Sequence, residues 1–324
     1  MSSSSDLSYY CHKLERLNVN KHRTRGIAPH KPILLLSVIE LIAQNKISAN
    51  RIYLNVELIS TFQKYWSSIG SHLRRSSIYL PFYHLSGDGF WHLKFKYDLI
   101  KNIGSPSLKV LNENVSYAYL DEELFHLIAI PESRMQLLMV LINKWFSDKQ
   151  DEINNLFQID AFKDFQDRLK EMGGKVYSPD ELETEEEDTA IIRDATFRKV
   201  VTSVYNHSCA FCGLRIIDSR SQNIVDGAHI MPFSVFRDNR ISNGLSLCKN
   251  HHWAFDRGWF GINQSYEIQI SNSIEESVID QKTMKEFSGQ RIFLPTQDFY
   301  RPSKEALAWH LENIFYNEIF YSLF

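Results

Sequence analysis

Apolar positions along the chain fall into blocks of helical period, separated by basic, glycine-bearing or acidic stretches. Leu7 to Leu17 predicts a short helix. The run Ile33-Leu-Leu-Leu-Ser-Val-Ile-Glu-Leu-Ile-Ala43 follows Ala28-Pro-His-Lys-Pro32. It predicts a buried helix, because proline in a first helical turn loses no hydrogen bond. Val56 to Ile69 predicts an amphipathic helix. Ser76 to Leu85 and Gly89 to Lys96 read as two strands around Ser86-Gly-Asp-Gly89, a hairpin signal. Glu132 to Asp148, Glu152 to Met172 and Asp194 to Tyr205 have helical periodicity, two short strands and a helix follow through residue 256, and Ser303 to Phe324 forms an aromatic-rich helix. The pattern predicts an α+β protein. A mainly helical N-terminal domain with a small β-hairpin is followed by a second domain of strands and helices.

A length of 324 residues predicts about two domains. The composition, 44% hydrophobic and 23% charged, excludes a mainly disordered chain. No apolar run reaches the ~18 residues of a membrane span. The longest, Pro32 to Ile42, is interrupted by Ser37 and Glu40, and the N-terminus lacks the basic and apolar regions of a secretory signal. Charge is distributed in blocks. Residues 1–110 carry 15 Lys/Arg and 6 Asp/Glu, a net of +9; residues 111–190 carry 7 and 19, a net of −12; residues 191–324 carry 14 of each. The basic first third suggests a polyanionic partner, nucleic acid first. The run Ser178-Pro-Asp-Glu-Leu-Glu-Thr-Glu-Glu-Glu-Asp188 predicts a self-repelling, extended linker. The expected division is therefore residues 1–150, a helix and acidic linker at 151–190, and a second domain at 191–324.

Three of four cysteines cluster with histidines, which reads as metal binding in a reducing, cytoplasmic compartment. Cys209-Ala-Phe-Cys212 and Cys248-Lys-Asn-His251 are two ligand pairs of matched spacing. Together they compose a closed Cys3His set suited to structural Zn2+. Around them lie Val225-Asp-Gly-Ala-His-Ile-Met-Pro232, Asp238-Asn-Arg-Ile-Ser-Asn-Gly-Leu-Ser-Leu-Cys248 and His252-Trp-Ala-Phe-Asp-Arg-Gly258, with His229, Asn243 and His252 in that order. Over roughly residues 194–262 this resembles an HNH endonuclease module of the ββα-metal fold. The resemblance implies phosphodiester hydrolysis. His229 would be the general base, Asn243 would hold the ββ loop and orient His229, and His252 would ligate a catalytic divalent cation, Mg2+ or Mn2+. Ala228 stands where many such modules place a second ligand; Asp226 shares its strand face and is assigned that role. Asp256 is read as structural.

In the first domain, Gly26-Ile-Ala-Pro-His-Lys-Pro-Ile-Leu-Leu-Leu36, Ile78-Tyr-Leu-Pro-Phe-Tyr-His-Leu85 and Gly89-Phe-Trp-His-Leu93 resemble the sulfur-binding domain of phosphorothioate-dependent type IV restriction endonucleases, over roughly residues 8–145. That family joins this domain to an HNH module in the same order. The resemblance implies that Pro81, with Leu80 beside it, forms an apolar cup for the sulfur of modified double-stranded DNA. His30 and Lys31 would hold the adjacent backbone. The family often has an aromatic at the Leu80 position and Arg at the Lys31 position. Arg23, Arg25, Arg74 and Arg75 are candidate phosphate or base-edge contacts. Tyr79, Phe82, Phe90 and Trp91 are read as core.

Two other readings stay open: a nuclease directed to a modified base such as methylated cytosine, which predicts a deep aromatic pocket, and a zinc-stabilised DNA-binding protein without catalysis. Homodimerisation is a further expectation, since one HNH site cuts one strand. The aromatic residues Trp309, Phe315, Tyr316, Phe320, Tyr321 and Phe324 are expected to pack on their own domain, with a dimer surface as the alternative.

Overall fold

The computed structural model describes residues 3–24, 26–71, 73–97, 106–157, 160–218, 223–277 and 282–316. It is α+β, and its sheets are two-stranded and antiparallel. In chain order the first elements are α1 (Ser3–Glu15), β1 (Lys21–His22), β2 (Gly26–Ile27), α2 (His30–Ala43), α3 (Val56–Ile69) and α4 (Tyr79–His84). There follow β3 (Trp91–Phe95), α5 (Leu108–Asn114), β4 (Val115–Leu120), α6 (Glu122–Ala129), α7 (Pro131–Trp145) and α8 (Gln150–Leu156). Next come α9 (Ala161–Met172), α10 (Pro179–Glu183) and α11 (Glu187–Val204). The remainder is β5 (Val225–His229), α12 (Phe233–Phe236), β6 (Gly244–Cys248), α13 (Lys249–Asp256), β7 (Phe260–Ile262), β8 (Ile268–Ile270) and α14 (Lys304–His310). The chain divides into two compact units, Met1–Asp164 with Glu186–Ile192, and Phe165–Glu185 with Arg193–Phe324.

Helix α2 is the axis of the first unit, buried on nearly every face. Its two polar interruptions are satisfied internally. Ser37 Oγ donates to the Ile33 carbonyl at 2.8 Å, and Glu40 receives Lys64 Nζ at 2.6 Å and Tyr65 Oη at 2.6 Å. A buried carboxylate so fully bonded is tolerable; one without partners would not be. Burial raises the Glu40 pKa, against the pull of Lys64 and Tyr65.

The segment expected as the first hairpin strand is instead helix α4. Ile78, Phe82 and Leu85 are all buried, and that i, i+4, i+7 spacing is helical rather than alternating. Pro81 falls in the first turn, where its missing N–H costs nothing, whereas in a strand ladder it would remove a bond. The strand at Trp91–Phe95 forms, but its partner is β4, with Trp91 opposite Leu120 and Leu93 opposite Ala118. The expected helix over Glu152–Met172 is two helices, α8 and α9.

The acidic run is not an extended linker. Ser178 and Glu181 form a capping box that starts α10, and Pro179 occupies its first turn. Glu186 and Asp188 return to the first unit, where they bond the backbone leading into α4. Backbone donors thus offset the like-charge repulsion on which the expectation of an extended chain rested.

In the second unit, α11 packs on the β5–β6 hairpin. A Cβ added to Gly227 would stand 2.8 Å from the Arg198 Cα, and one on Gly244 would stand 2.5 Å from Val201 Cγ2. Glycine at both positions permits this close approach. The described part of the C-terminal segment docks on its own unit. Leu307 is buried, His310 stacks on Phe255 with centroids 3.7 Å apart, and Trp309 meets Phe236 at 4.9 Å. Phe320, Tyr321 and Phe324 lie outside the described residues.

Candidate nuclease and DNA-reading sites

Cys209 and Cys212 lie on a turn closed by Gly213 at φ +75°, with the Gly213 N–H donating to the Cys209 carbonyl at 2.8 Å. Cys248 ends β6, and His251 lies in the first turn of α13. One ligand atom from each of the four lies within 4.8 Å of all the others. His251 presents Nδ1, 3.1 Å from Cys248 Sγ and 3.6 Å from Cys209 Sγ. The group fits a tetrahedral zinc site, whose metal–sulfur bonds of about 2.3 Å imply similar ligand separations. Hydrogen bonds within the cluster push the Cys209 thiol up and hold the Cys248 thiol well below its ordinary range. Burial opposes charging His251, but the hydrogen bonds its ring donates to Cys212 and Cys248 outweigh it and bring the imidazole up to about 9.

The strand register separates two sets of side chains. Asp226 pairs with Leu247 and Ala228 with Leu245 on one face; Gly227 pairs with Ser246 and His229 with Gly244 on the other. His229 therefore faces α11, where its ring stacks on Phe197 with parallel planes 3.8 Å apart. Its Nε2 lies 3.0 Å from Asn239 Oδ1. An amide oxygen only accepts, so Nε2 carries the proton and Nδ1 is left with its lone pair. Burial lowers the His229 pKa, partly offset by the Asn239 bond and by Asp194. The side-chain hydrogen bonds of Asn243 go to the loop that follows His229 and not to the imidazole. Its Oδ1 accepts from the Met231 N–H at 2.9 Å, and its Nδ2 donates to the carbonyls of Met231 and Asp238, each at 3.0 Å. It clamps the loop that carries Asn239. Asn239, Phe197 and Asp194 had no motif of their own; Asn239 stood unassigned inside the quoted Asp238-to-Cys248 stretch.

On the other face, His252 Nδ1 lies 3.9 Å from Asp226 Oδ2, and its Nε2 lies 3.7 Å from Asp256 Oδ2. The imidazole stands between two carboxylates. An oxygen and a nitrogen donor 3.9 Å apart are compatible with one shared divalent cation. Lys249 Nζ lies 3.1 Å from Asp226 Oδ2.

In the first unit, a cavity of about 600 Å³ brings together His30, Lys31, Arg74, Leu80 and Pro81, with Asn18, Asn20 and His84 added. Pro81 is buried and forms floor, while Leu80 is 36% exposed at the rim. Lys31 is not a free cation: its Nζ pairs with Asp88 Oδ2 at 2.6 Å, and Asp88 also takes the Asn18 N–H. The His30 Nε2 bonds the Arg75 carbonyl at 2.9 Å, and its ring packs 4.4 Å from Trp66. Burial lowers the pKa of both His30 and His84. Arg74 donates to the Gly26 carbonyl at 3.0 Å. Arg23 and Arg75 do not line the cavity, and Arg25 lies outside the described residues. Phe82, Phe90 and Trp91 are core. His84 sits one helical turn beyond Pro81, a relation visible in the sequence only once α4 is known to be a helix.

The acidic return segment holds α4 in place. Glu186 accepts from the Ser76 N–H at 3.2 Å and from its hydroxyl, and Asp188 Oδ2 accepts from the Ile78 N–H at 3.2 Å. Asp188 is 1% exposed, and burial, reinforced by Glu186 and Glu187, pushes its pKa up to about 7.

Two family models match this chain. Residues 8–159 match the family model described as "ScoMcrA-like, DNA sulfur-binding domain", and residues 209–263 match "HNH endonuclease". The chain thus carries a DNA-binding domain of the sulfur-binding type followed by an HNH nuclease domain. No curated protein matches. A solved structure titled "Modification dependent TagI restriction endonuclease" is similar at 21% identity and a TM-score of 0.29, over 38% of this chain and 39% of that one. The chain therefore spans well under half the length of that relative. Among the described residues, no single helix is long and apolar enough to cross a membrane.

Proposed function

We propose that the protein is a metal-dependent endonuclease of a type IV restriction system that recognises phosphorothioate-modified double-stranded DNA with its first domain and hydrolyses nearby phosphodiester bonds with its second. The observation that carries this reading is the conjunction of an apolar, proline-floored cup ringed by His30, Arg74 and His84 with a downstream His229 whose Nδ1 lone pair is left free. A non-bridging sulfur is larger and less hydrated than oxygen. It enters an apolar cup at small desolvation cost, while a phosphate oxygen there loses hydrogen bonds. Leu80 and Pro81 supply that surface. His30 and Arg74 face the adjacent backbone, and Lys31 works through its ion pair with Asp88.

At the nuclease site, His229 Nδ1 takes a proton from the attacking water. Asn239 fixes the tautomer, and Asn243 fixes the loop that carries Asn239. Asp226 and His252 would hold a divalent cation, Mg2+ or Mn2+. That ion supplies Lewis-acid stabilisation of the phosphate and leaving oxygen. Zn2+ at Cys209, Cys212, Cys248 and His251 holds the fold. The free cysteines and the zinc cluster suit a reducing cytoplasm, and a homodimer would bring two sites to the two strands. The sulfur-reading role is assigned to residues 1–150 and the nuclease role to 191–324.

At the cup itself, the modified-base alternative is less well supported. Among the described residues, the cup's lining contains no Phe, Tyr or Trp to sandwich a flipped base. The deciding experiment compares two duplexes of identical sequence, with and without one phosphorothioate of natural stereochemistry, at fixed salt in several sequence contexts with Mg2+ and Mn2+. Preferential binding and cutting of the sulfur-bearing duplex, lost in Pro81 variants, is expected. Equal treatment in every context would overturn the sulfur reading.

A further inference from the structure

The first unit has a second surface suited to nucleic acid, on the solvent face of the β3–β4 sheet. The register places His92 opposite Tyr119 and Lys94 opposite Tyr117 on that face, while Trp91 and Leu120 turn inward. Ile52 joins the sheet edge through a bridge to Ala118, with backbone bonds of 2.7 and 2.8 Å, and is buried; its neighbours Arg51 and Tyr53 are exposed. Four rings form a continuous track. Tyr53 and Tyr117 centroids are 5.8 Å apart, Tyr117 and Tyr119 6.3 Å, and Tyr119 and His92 5.0 Å. The Arg51 guanidinium lies 5.5 Å from the Tyr117 centroid. Beside the track, a cavity of about 190 Å³ opens between Tyr53, Tyr117 and Lys96 over an apolar floor that includes Phe82 and Leu111. Asp121 is bonded to His92 at 2.7 Å and to Tyr10 at 3.0 Å. Rings in series beside Arg51, Lys94 and Lys96 match the alternation of base and phosphate in an unpaired strand, whose bases expose faces that a duplex conceals.

We infer that this face binds single-stranded DNA, with bases stacking on Tyr53, Tyr117 and Tyr119, one base seated in the adjoining cavity, and phosphates met by Arg51 and by Lys96, whose Nζ donates to the Asn112 carbonyl at 2.6 Å. The surface is separate from the Pro81 cup, so a nuclease of this build can retain an unpaired strand while its cup stays on duplex.

The test uses the full chain and an unmodified, fluorescently labelled oligodeoxythymidine of about 16 nucleotides. The double variant Tyr53→Ala/Tyr117→Ala is expected to weaken its binding about tenfold or more. Tyr53→Phe/Tyr117→Phe is expected to retain it, since stacking needs the ring and not the hydroxyl. A Pro81 variant is expected to leave single-strand binding intact, which separates this inference from the sulfur reading. Unchanged affinity in a folded double-alanine variant, or no measurable single-strand binding by the native chain, overturns it.

Discussion

At the residue scale, His229 shows how a side chain of ordinary chemistry is prepared for one task. Stacking on Phe197 removes water from one ring face, and the Asn239 bond fixes which nitrogen bears the proton. Replacing His229 by Ala is expected to lower cleavage about 10²- to 10⁴-fold while DNA binding survives; single-turnover cleavage beside a gel-shift titration checks both. Asn239→Ala is expected to cost about 10- to 100-fold, the scale of a lost orienting partner. Because the His229 pKa is lowered, the acid limb of the cleavage profile is expected below the usual histidine value of ~6.5; a pH–rate series reads it. The spacing of His229, Asn243 and His252 is local, so the sequence alone offers them as candidates. Asn239 is not offered in this way, because its role depends on how a loop folds back under the Asn243 clamp. Lys31 was legible as a cation but not as one already paired with Asp88, a contact 57 positions away.

At the element scale, the buried helix α2 and the helix α3 were readable from apolar runs, since nothing competes with their period. Helix α4 was misread because Ser76 to Leu85 is short, aromatic and followed by a glycine-rich turn, all of which also describe a strand. Only tertiary burial of Ile78, Phe82 and Leu85 decides between them. The position of α4 depends on Asp188, whose carboxyl carries a testable signature. Its pKa rises to about 7 from an ordinary value near 4, so the folded state holds a proton that the unfolded state has lost between those values. Stability from this group is therefore full below about pH 4 and declines as pH rises towards 7, with a slope of at most ~1.4 kcal/mol per pH unit. Asp188→Asn is expected to flatten that slope in denaturant titrations followed across pH. The opposite sign holds for His310, buried and lowered to about 4. Its contribution is full above ~6.5 and is lost as pH falls from there to about 4. In the hairpin, Gly227→Ala drives a methyl into the Arg198 backbone and is expected to destabilise the second unit by ~1–3 kcal/mol in thermal unfolding.

At the scale of the whole molecule, two units with separate cores imply separable stabilities. Ligand binding that defines a fold is folding free energy. A chelator strong enough to strip zinc is therefore expected to unfold the second unit and leave the helical signal of the first, which circular dichroism before and after treatment resolves. The block charges are read directly from composition, and length alone predicts about two domains. The return of Glu186–Ile192 to the first unit is not read this way, because acidic residues on a solvated linker and acidic residues capping backbone donors have the same composition.

The ion pair between Lys249 and Asp226 has a consequence for how such a nuclease loads its cation. On the proposed ligand assignment, a divalent cation approaching Asp226 finds the carboxylate already neutralised by an ammonium 3.1 Å away. Loading the site is then an exchange, in which a tethered monovalent counterion must swing out into water before a doubly charged one settles. On that assignment Lys249 is the counterion that a divalent ion displaces, and an ion pair so open to water opposes the exchange only weakly.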